Sequence, residues 1–209
     1  DDARYRLKAG DALRRLGRHQ QALAHWRHAA ALDETSAEPH YNSGVVHHYD
    51  LRNEEMAMRA WQQALAVDPD HVASLGQMAA ARRRQGQYEE AASLWRRTIQ
   101  LDPQNADAFY NLGLVFGHDL DDSETALAFW RQTTVLDSLH WNAHYNIAFT
   151  LYNSGAYQQS LTYWQQAADL GPDNAQSHNG LGSVYKALGQ HAEAVASWQR
   201  SVQLEPGYV

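Results

Sequence analysis

Six of the seven tryptophans in this 209-residue chain return at an almost fixed interval. Trp26, Trp61, Trp95, Trp130, Trp164 and Trp198 are 35, 34, 35, 34 and 34 residues apart. A period of a few tens of residues is the mark of a repeat architecture. Each unit is then one supersecondary element that cannot bury its apolar face alone, and stacking against its neighbours supplies the missing burial.

Further columns fall into register on the tryptophans. Four positions earlier stands a small residue, Ala22, Ala57, Ala91, Ala126, Ser160 or Ala194, and three positions later another, Ala29, Ala64, Thr98, Thr133, Ala167 or Ser201. Offsets of three and four place the column on one helical stripe. About sixteen residues before each tryptophan comes Gly10, Gly44, Ala79, Gly113, Ala148 or Gly182, where only a small side chain lets two helices approach closely. Turn signals separate the two stripes at 16–18 (LGR), 85–87 (QGQ), 154–156 (SGA) and 188–190 (LGQ). Units close on VDPD (67–70), LDPQ (101–104), LGPD (170–173) and LEPG (204–207), where proline stops one helix and suits the start of the next. Each unit therefore reads as helix, short turn, helix.

This pattern resembles the tetratricopeptide repeat (TPR), with its 34-residue period, small residues flanking an aromatic, and terminal proline. The resemblance covers nearly the whole chain and implies an all-α fold, a right-handed α-solenoid, or superhelix, of six helix-turn-helix units. The repeats are assigned to 3–36, 37–71, 72–105, 106–140, 141–174 and 175–208, forming a single domain over 3–208 that reads as a fragment of a longer protein. Two repeats carry one extra residue near the internal turn, in HHYDLRNEE (47–55) and GHDLDDSE (117–124). These insertions are expected to lengthen loops without breaking the stack. Glu34 and Ser138 stand where the terminal proline is expected.

A solenoid has no central core, so the recurring aromatic acts as a wedge between consecutive helix pairs. Burying roughly 200 Å² of indole at about 25 cal/mol per Å² gives an upper figure of about 5 kcal/mol per site.

Composition narrows the function classes. No apolar run is long enough to span a membrane, and no secretory or transit-like segment opens the chain. The reading is of a soluble protein, cytoplasmic or periplasmic. The absence of cysteine removes disulfides, thiol catalysis and cysteine-ligated zinc. A formal charge of −7 argues against nucleic acid as a partner. Charge alternates by repeat. The first repeat carries seven basic against three acidic residues and the third five against three, while the second carries two against six and the fourth one against six. Complementary packing between adjacent repeats and a patterned partner surface both account for this alternation.

The TPR resemblance implies that the first helix of each pair lines a concave groove through positions 2, 5, 6, 9, 12 and 13. Read onto this chain, that stripe supplies Tyr41, Asn42 and His48 in the second repeat. It supplies Tyr110, Asn111 and Leu114 in the fourth, Tyr145, Asn146 and Phe149 in the fifth, and Lys186 in the sixth. A Tyr-Asn pair recurs at 41–42, 110–111 and 145–146. Side-chain amides both donate and accept, so a row of them can pair with the backbone of an extended peptide, and tyrosine adds rigid contact area. The same asparagines are equally suited to hydrogen-bonding between neighbouring repeats. Arg83 and Arg84 fall at positions 12 and 13 of the third repeat, where they can draw an acidic peptide. The lysine and arginine set of a carboxylate clamp is missing from successive repeats, which argues against chaperone C-termini as partners.

Nothing in the sequence reads as an active site. There is no phosphate-binding glycine loop, no nucleophile elbow and no placed carboxylate pair. His140 with His144, and His25 with His28, have metal-compatible spacing, but His144, His40 and His178 share position 4, where packed histidine is the better reading. No metal and no cofactor are expected. The expected function is a noncatalytic protein–protein interaction scaffold that binds an extended peptide or partner segment. The alternatives are the recognition or assembly arm of a larger enzyme or secretion complex, and self-association through uncapped ends near Val195, Trp198 and Val202.

Overall fold

The computed structural model describes residues 2–207; Tyr208, the last residue assigned to the sixth repeat, lies outside them. Among the described residues there are twelve α-helices and no strand. The chain divides into two compact units, Asp1–Pro103 and Gln104–Val209. In the first, α1 (Ala3–Arg15) pairs with α2 (His19–Leu32), α3 (Glu38–Val45) with α4 (Glu54–Val67), and α5 (Val72–Arg84) with α6 (Tyr88–Leu101). In the second, α7 (Ala106–Leu114) pairs with α8 (Ser123–Leu136), α9 (Trp141–Asn153) with α10 (Tyr157–Leu170), and α11 (Ala175–Ala187) with α12 (His191–Leu204). Within each unit the second helix of one pair packs on the first helix of the next. The fold is an all-α solenoid of six such units.

The tryptophans form the wedges. Trp26, Trp61, Trp95, Trp130 and Trp164 are each at most 3% exposed, and the flanking Ala22, Ala57, Ala91 and Ala126 are fully buried. The small residue sixteen or so positions earlier has a steric cause. A Cβ added at Gly44 would meet the indole of Trp61, and one at Gly113 the indole of Trp130. The first helix of each pair thus lies directly on the ring carried by the second. Trp198 of α12 is only partly buried, since no later described helix covers it.

The extra residues of the second and fourth repeats do not lengthen loops, contrary to expectation. Each is absorbed by a π-helical turn that continues the first helix of the pair, Val46–Asp50 after α3 and Val115–Asp119 after α7. The closing bonds widen accordingly, with Leu51 N–H donating to Val46 O and Leu120 N–H to Val115 O, both at 3.0 Å. In the other four repeats the helix ends on a glycine in the left-handed region, as at Gly17 (φ 72°) and Gly155 (φ 80°). Here that role falls to Arg52 (φ 54°) and Asp121 (φ 57°), one position later in the repeat. A non-glycine residue there costs roughly 1–2 kcal/mol. The following residue offsets part of that cost. Asn53 accepts from Met56 N–H and Asp122 from Thr125 N–H, capping α4 and α8, whereas the second helices of the other repeats have no side-chain cap.

Candidate functional site

In the first unit the expected groove residues are largely committed to one another. Asn42 Nδ2 donates to Asp11 Oδ1 at 3.1 Å, and the indole N–H of Trp26 reaches the same oxygen at 3.2 Å, so one carboxylate joins α1, α2 and α3. Tyr41 rests its ring on His71 with centroids 5.4 Å apart. Burial is the main reason its phenol pKa is raised, reinforced by the neighbouring Tyr49 and Glu38. His48, in the first π turn, places Nδ1 2.5 Å from Glu54 Oε2 and lays its ring against Trp61 and Tyr49. Glu54 also accepts from Arg84 Nη2 at 2.6 Å. Burial alone would raise the Glu54 pKa, but the hydrogen bonds and charges of Arg84 and His48 outweigh it and hold the carboxyl below its ordinary value.

These contacts explain the alternation of charge in this unit. Asp50 of the second repeat pairs with Arg14 of the first at 2.8 Å, while Glu54 and Asp70 pair with Arg84 and Arg97 of the third. Complementary packing accounts for the pattern, and Arg84 is held by Glu54 rather than standing free for an incoming peptide. Arg83 is half-buried and likewise engaged.

The second unit is built differently. Along α9, Trp141, Tyr145 and Phe149 occur at intervals of four and form a ring ladder. Trp141 and Tyr145 have centroids 5.1 Å apart, and Tyr145 and Phe149 lie nearly parallel at 6.3 Å with an interplanar angle of 3°. The edge of Tyr145 meets Trp164 at 5.0 Å, which fixes the middle of the ladder against the buried wedge. The indole N–H of Trp141 donates to Ser177 Oγ at 3.2 Å and so ties α9 to α11. Phe149, at the far end, is 49% exposed.

The amides around this ladder have different fates. Asn146 is only 8% exposed and donates to the Tyr110 hydroxyl at 3.5 Å, a link between the fourth and fifth repeats. Tyr110 in turn lies on His140, with centroids 4.5 Å apart. Asn111 donates to the Asp107 carbonyl one turn back, at 2.7 Å, leaving its side-chain oxygen without a partner among the described residues. Leu114 is half-buried beside it, and Lys186 on α11 is exposed and unpaired among the described residues. The structure therefore leaves Asn111, Phe149 and Lys186 open in this unit and packs Leu114 half-buried against the cluster around Trp130, while it draws Asn146 and Tyr110 into the joint between repeats.

Two features escape a reading by repeat register. Trp141 lies outside the tryptophan column, and only its spacing to Tyr145 and Phe149 signals the ladder. His71 and His140 cap α5 and α9 through Nδ1, accepting from Ser74 N–H and Ala143 N–H. Two of the position-4 histidines are held by backbone carbonyls, with His144 Nε2 donating to Ser138 O at 3.0 Å and His178 Nε2 to Pro172 O at 2.9 Å, whereas His40 lines a cleft between α2 and α4. No group of three or more metal-ligating side chains converges among the described residues.

A family model described as TPR repeat matches residues 10–50, 79–119 and 150–189, and a second, described as tetratricopeptide repeat, matches 175–208. No curated protein matches the chain significantly in sequence. Among solved structures, Pseudomonas aeruginosa pilF is similar, with 24% identity over 98% of this chain and 92% of that one and a TM-score of 0.82. YrrB, described as a TPR protein with an unusual peptide-binding site, has 18% identity over 88% of this chain and 93% of its own, with a TM-score of 0.74. MamA has 20% identity over 83% and 93% of the two chains, with a TM-score of 0.72. At these identities the likeness concerns the fold. Among the described residues no helix is long and apolar enough to cross a membrane.

Proposed function

Because this chain belongs to the tetratricopeptide repeat family, we propose that it is a noncatalytic scaffold whose second unit binds an extended segment of a partner protein across Asn111, Leu114, Tyr145, Phe149 and Lys186. The observation that carries this reading is Phe149, a large apolar ring half open to solvent yet held parallel to a tyrosine that packs perpendicular to the buried Trp164. A rigid aromatic of this kind contributes contact area at little entropic cost. An extended peptide brings unpaired backbone N–H groups, which the free oxygen of Asn111 can accept, while the lysine ammonium offers donors to a carbonyl or carboxylate. The six repeats over 3–208 are proposed to serve as one binding domain, with protein segments rather than nucleic acid as ligands.

Extended peptides selected from a random display library on the intact protein provide the test. Their affinity should fall about tenfold or more on Phe149→Ala, the loss expected of a central aromatic contact. Unchanged affinity with intact helicity would remove the proposal.

A second reading rests on α12, where Val195 and Val202 are 52% and 46% exposed beside the partly buried Trp198. A copy of the chain stacked on this helix would cover them. Light scattering across a concentration series would show a rising mass that Val195→Glu abolishes; a constant monomer mass would exclude it.

A further inference from the structure

The first unit holds a cleft that the groove reading does not use. It lies between α2 and α4, with α3 and the following π turn beneath, and encloses about 530 Å³. This is within the usual size of ligand sites, roughly 300–1,000 Å³. Met56, 39% exposed, and the half-buried Ala30 supply its apolar surface, with Trp26 and Leu23 buried beneath them. The charged side chains of the lining are Arg27 on one wall and Arg59 on the other, with His40 and His47 below and no carboxylate among the lining residues. The cleft is thus locally basic within a unit whose basic and acidic side chains otherwise balance.

Both arginines are available. Arg27 has no side-chain partner among the described residues, and neither has the His40 ring. Arg59 pairs with Glu55 one turn earlier on its own helix, but both side chains are mostly exposed, at 65% and 74%, so this pair is weak and exchangeable. His47 Nδ1 is buried without a partner. The backbone sets a second condition. Every side chain named here stands on a helix or π turn, so the cleft offers side chains and almost no free N–H or C=O. An extended strand laid there would find only the side chains of Gln20, Gln63 and Ser43 to pair its backbone, whereas a helix arrives with its backbone already satisfied.

We infer that this cleft docks an acidic amphipathic helix from a partner protein, with apolar side chains seated over Met56 and Ala30 and carboxylates paired with Arg27 and Arg59. The site is separate from the aromatic face of the second unit, and each can fail without the other.

A stapled helical peptide with leucines on one face and glutamates flanking them is the probe, together with an isomer carrying lysine in place of every glutamate. On the intact protein the glutamate peptide should bind saturably, weaken as salt rises, and protect amides of α2, α3 and α4 from hydrogen exchange. Arg27→Glu combined with Arg59→Glu should weaken it about tenfold or more, and the milder Arg27→Gln with Arg59→Gln should fall between. Phe149→Ala should leave it unchanged, which separates this site from the proposed peptide face. No saturable binding, equal binding of the lysine isomer, or indifference to both arginine pairs would overturn the inference.

Discussion

In residues 1–103 fourteen basic side chains meet fourteen acidic ones, whereas residues 104–209 hold three basic against ten acidic, so the entire formal charge of −7 falls in the second unit. The first unit uses its charges between repeats, as Arg14 with Asp50, Arg84 with Glu54 and Arg97 with Asp70 illustrate. The second unit, with few cations to pair, keeps one such bridge, Arg200 with Asp173, and joins its repeats mainly through rings and hydroxyls: Tyr110 with His140 and Asn146, and Trp141 with Ser177. One helix plan is thus fastened by two chemistries. The choice has a functional side, because an arginine engaged by a neighbouring repeat is lost to a ligand, while a ladder of rings can hold one end in the core and leave the other exposed.

The wedge itself should not distinguish the units. Trp61→Ala and Trp130→Ala each remove a fully buried indole and should each cost about 3–5 kcal/mol in urea unfolding. Hydrogen exchange should place the lost protection in the unit that carries the change. A cost in one unit far below that in the other would break the shared plan.

Ionic strength should separate them. Glu54→Gln removes the carboxylate charge shared by Arg84 and His48 and should destabilise the first unit by up to about 1 kcal/mol, a small figure because Glu54 and Arg84 are both more than one-third exposed. High salt should erase most of this difference while affecting the second unit less, as followed by exchange protection in the two units. Equal salt sensitivity of both units would contradict the contrast drawn here.

Mild acid gives the smallest effect. Burial lowers the pKa of His47, so the folded first unit keeps this ring neutral while the unfolded chain takes up a proton near the ordinary value of 6.5. The unfolded state then binds more protons, and stability of the first unit should begin to fall as pH drops below that value. Below the ordinary glutamate range Glu54, whose folded pKa is lowered, adds a further loss. His47→Gln should flatten the first part of the curve, read from urea midpoints between pH 7 and pH 5. A profile identical to that of the unaltered protein would show that His47 does not carry the effect.

The tryptophan and small-residue columns were legible from the sequence because they answer to one neighbour at a fixed offset: Gly113 is small because Trp130 lies on it. The π turns were not, because one additional residue can be taken up either by a loop or by widening a helix, and Arg52 and Asp121 carry no glycine signal for the left-handed region. The Tyr-Asn pairs look alike in sequence and diverge in the structure. Asn42 meets Asp11, 31 residues away, and Asn146 meets Tyr110, 36 residues away, whereas Asn111 meets only its own helix. Which amide stays open depends on what the preceding repeat places opposite it. Arg84 is likewise open to a ligand in the sequence reading, because its partner Glu54 stands 30 residues earlier, in the preceding repeat.

The most direct test of the docking face is a matched pair of ring deletions. Phe149 and Tyr49 are both about half exposed, one at the end of the aromatic ladder and one on the first π turn. Peptides selected on the intact protein should lose about tenfold or more in affinity on Phe149→Ala and change little on Tyr49→Ala. Equal losses, or a loss on Tyr49→Ala alone, would contradict the assignment of docking to the second unit.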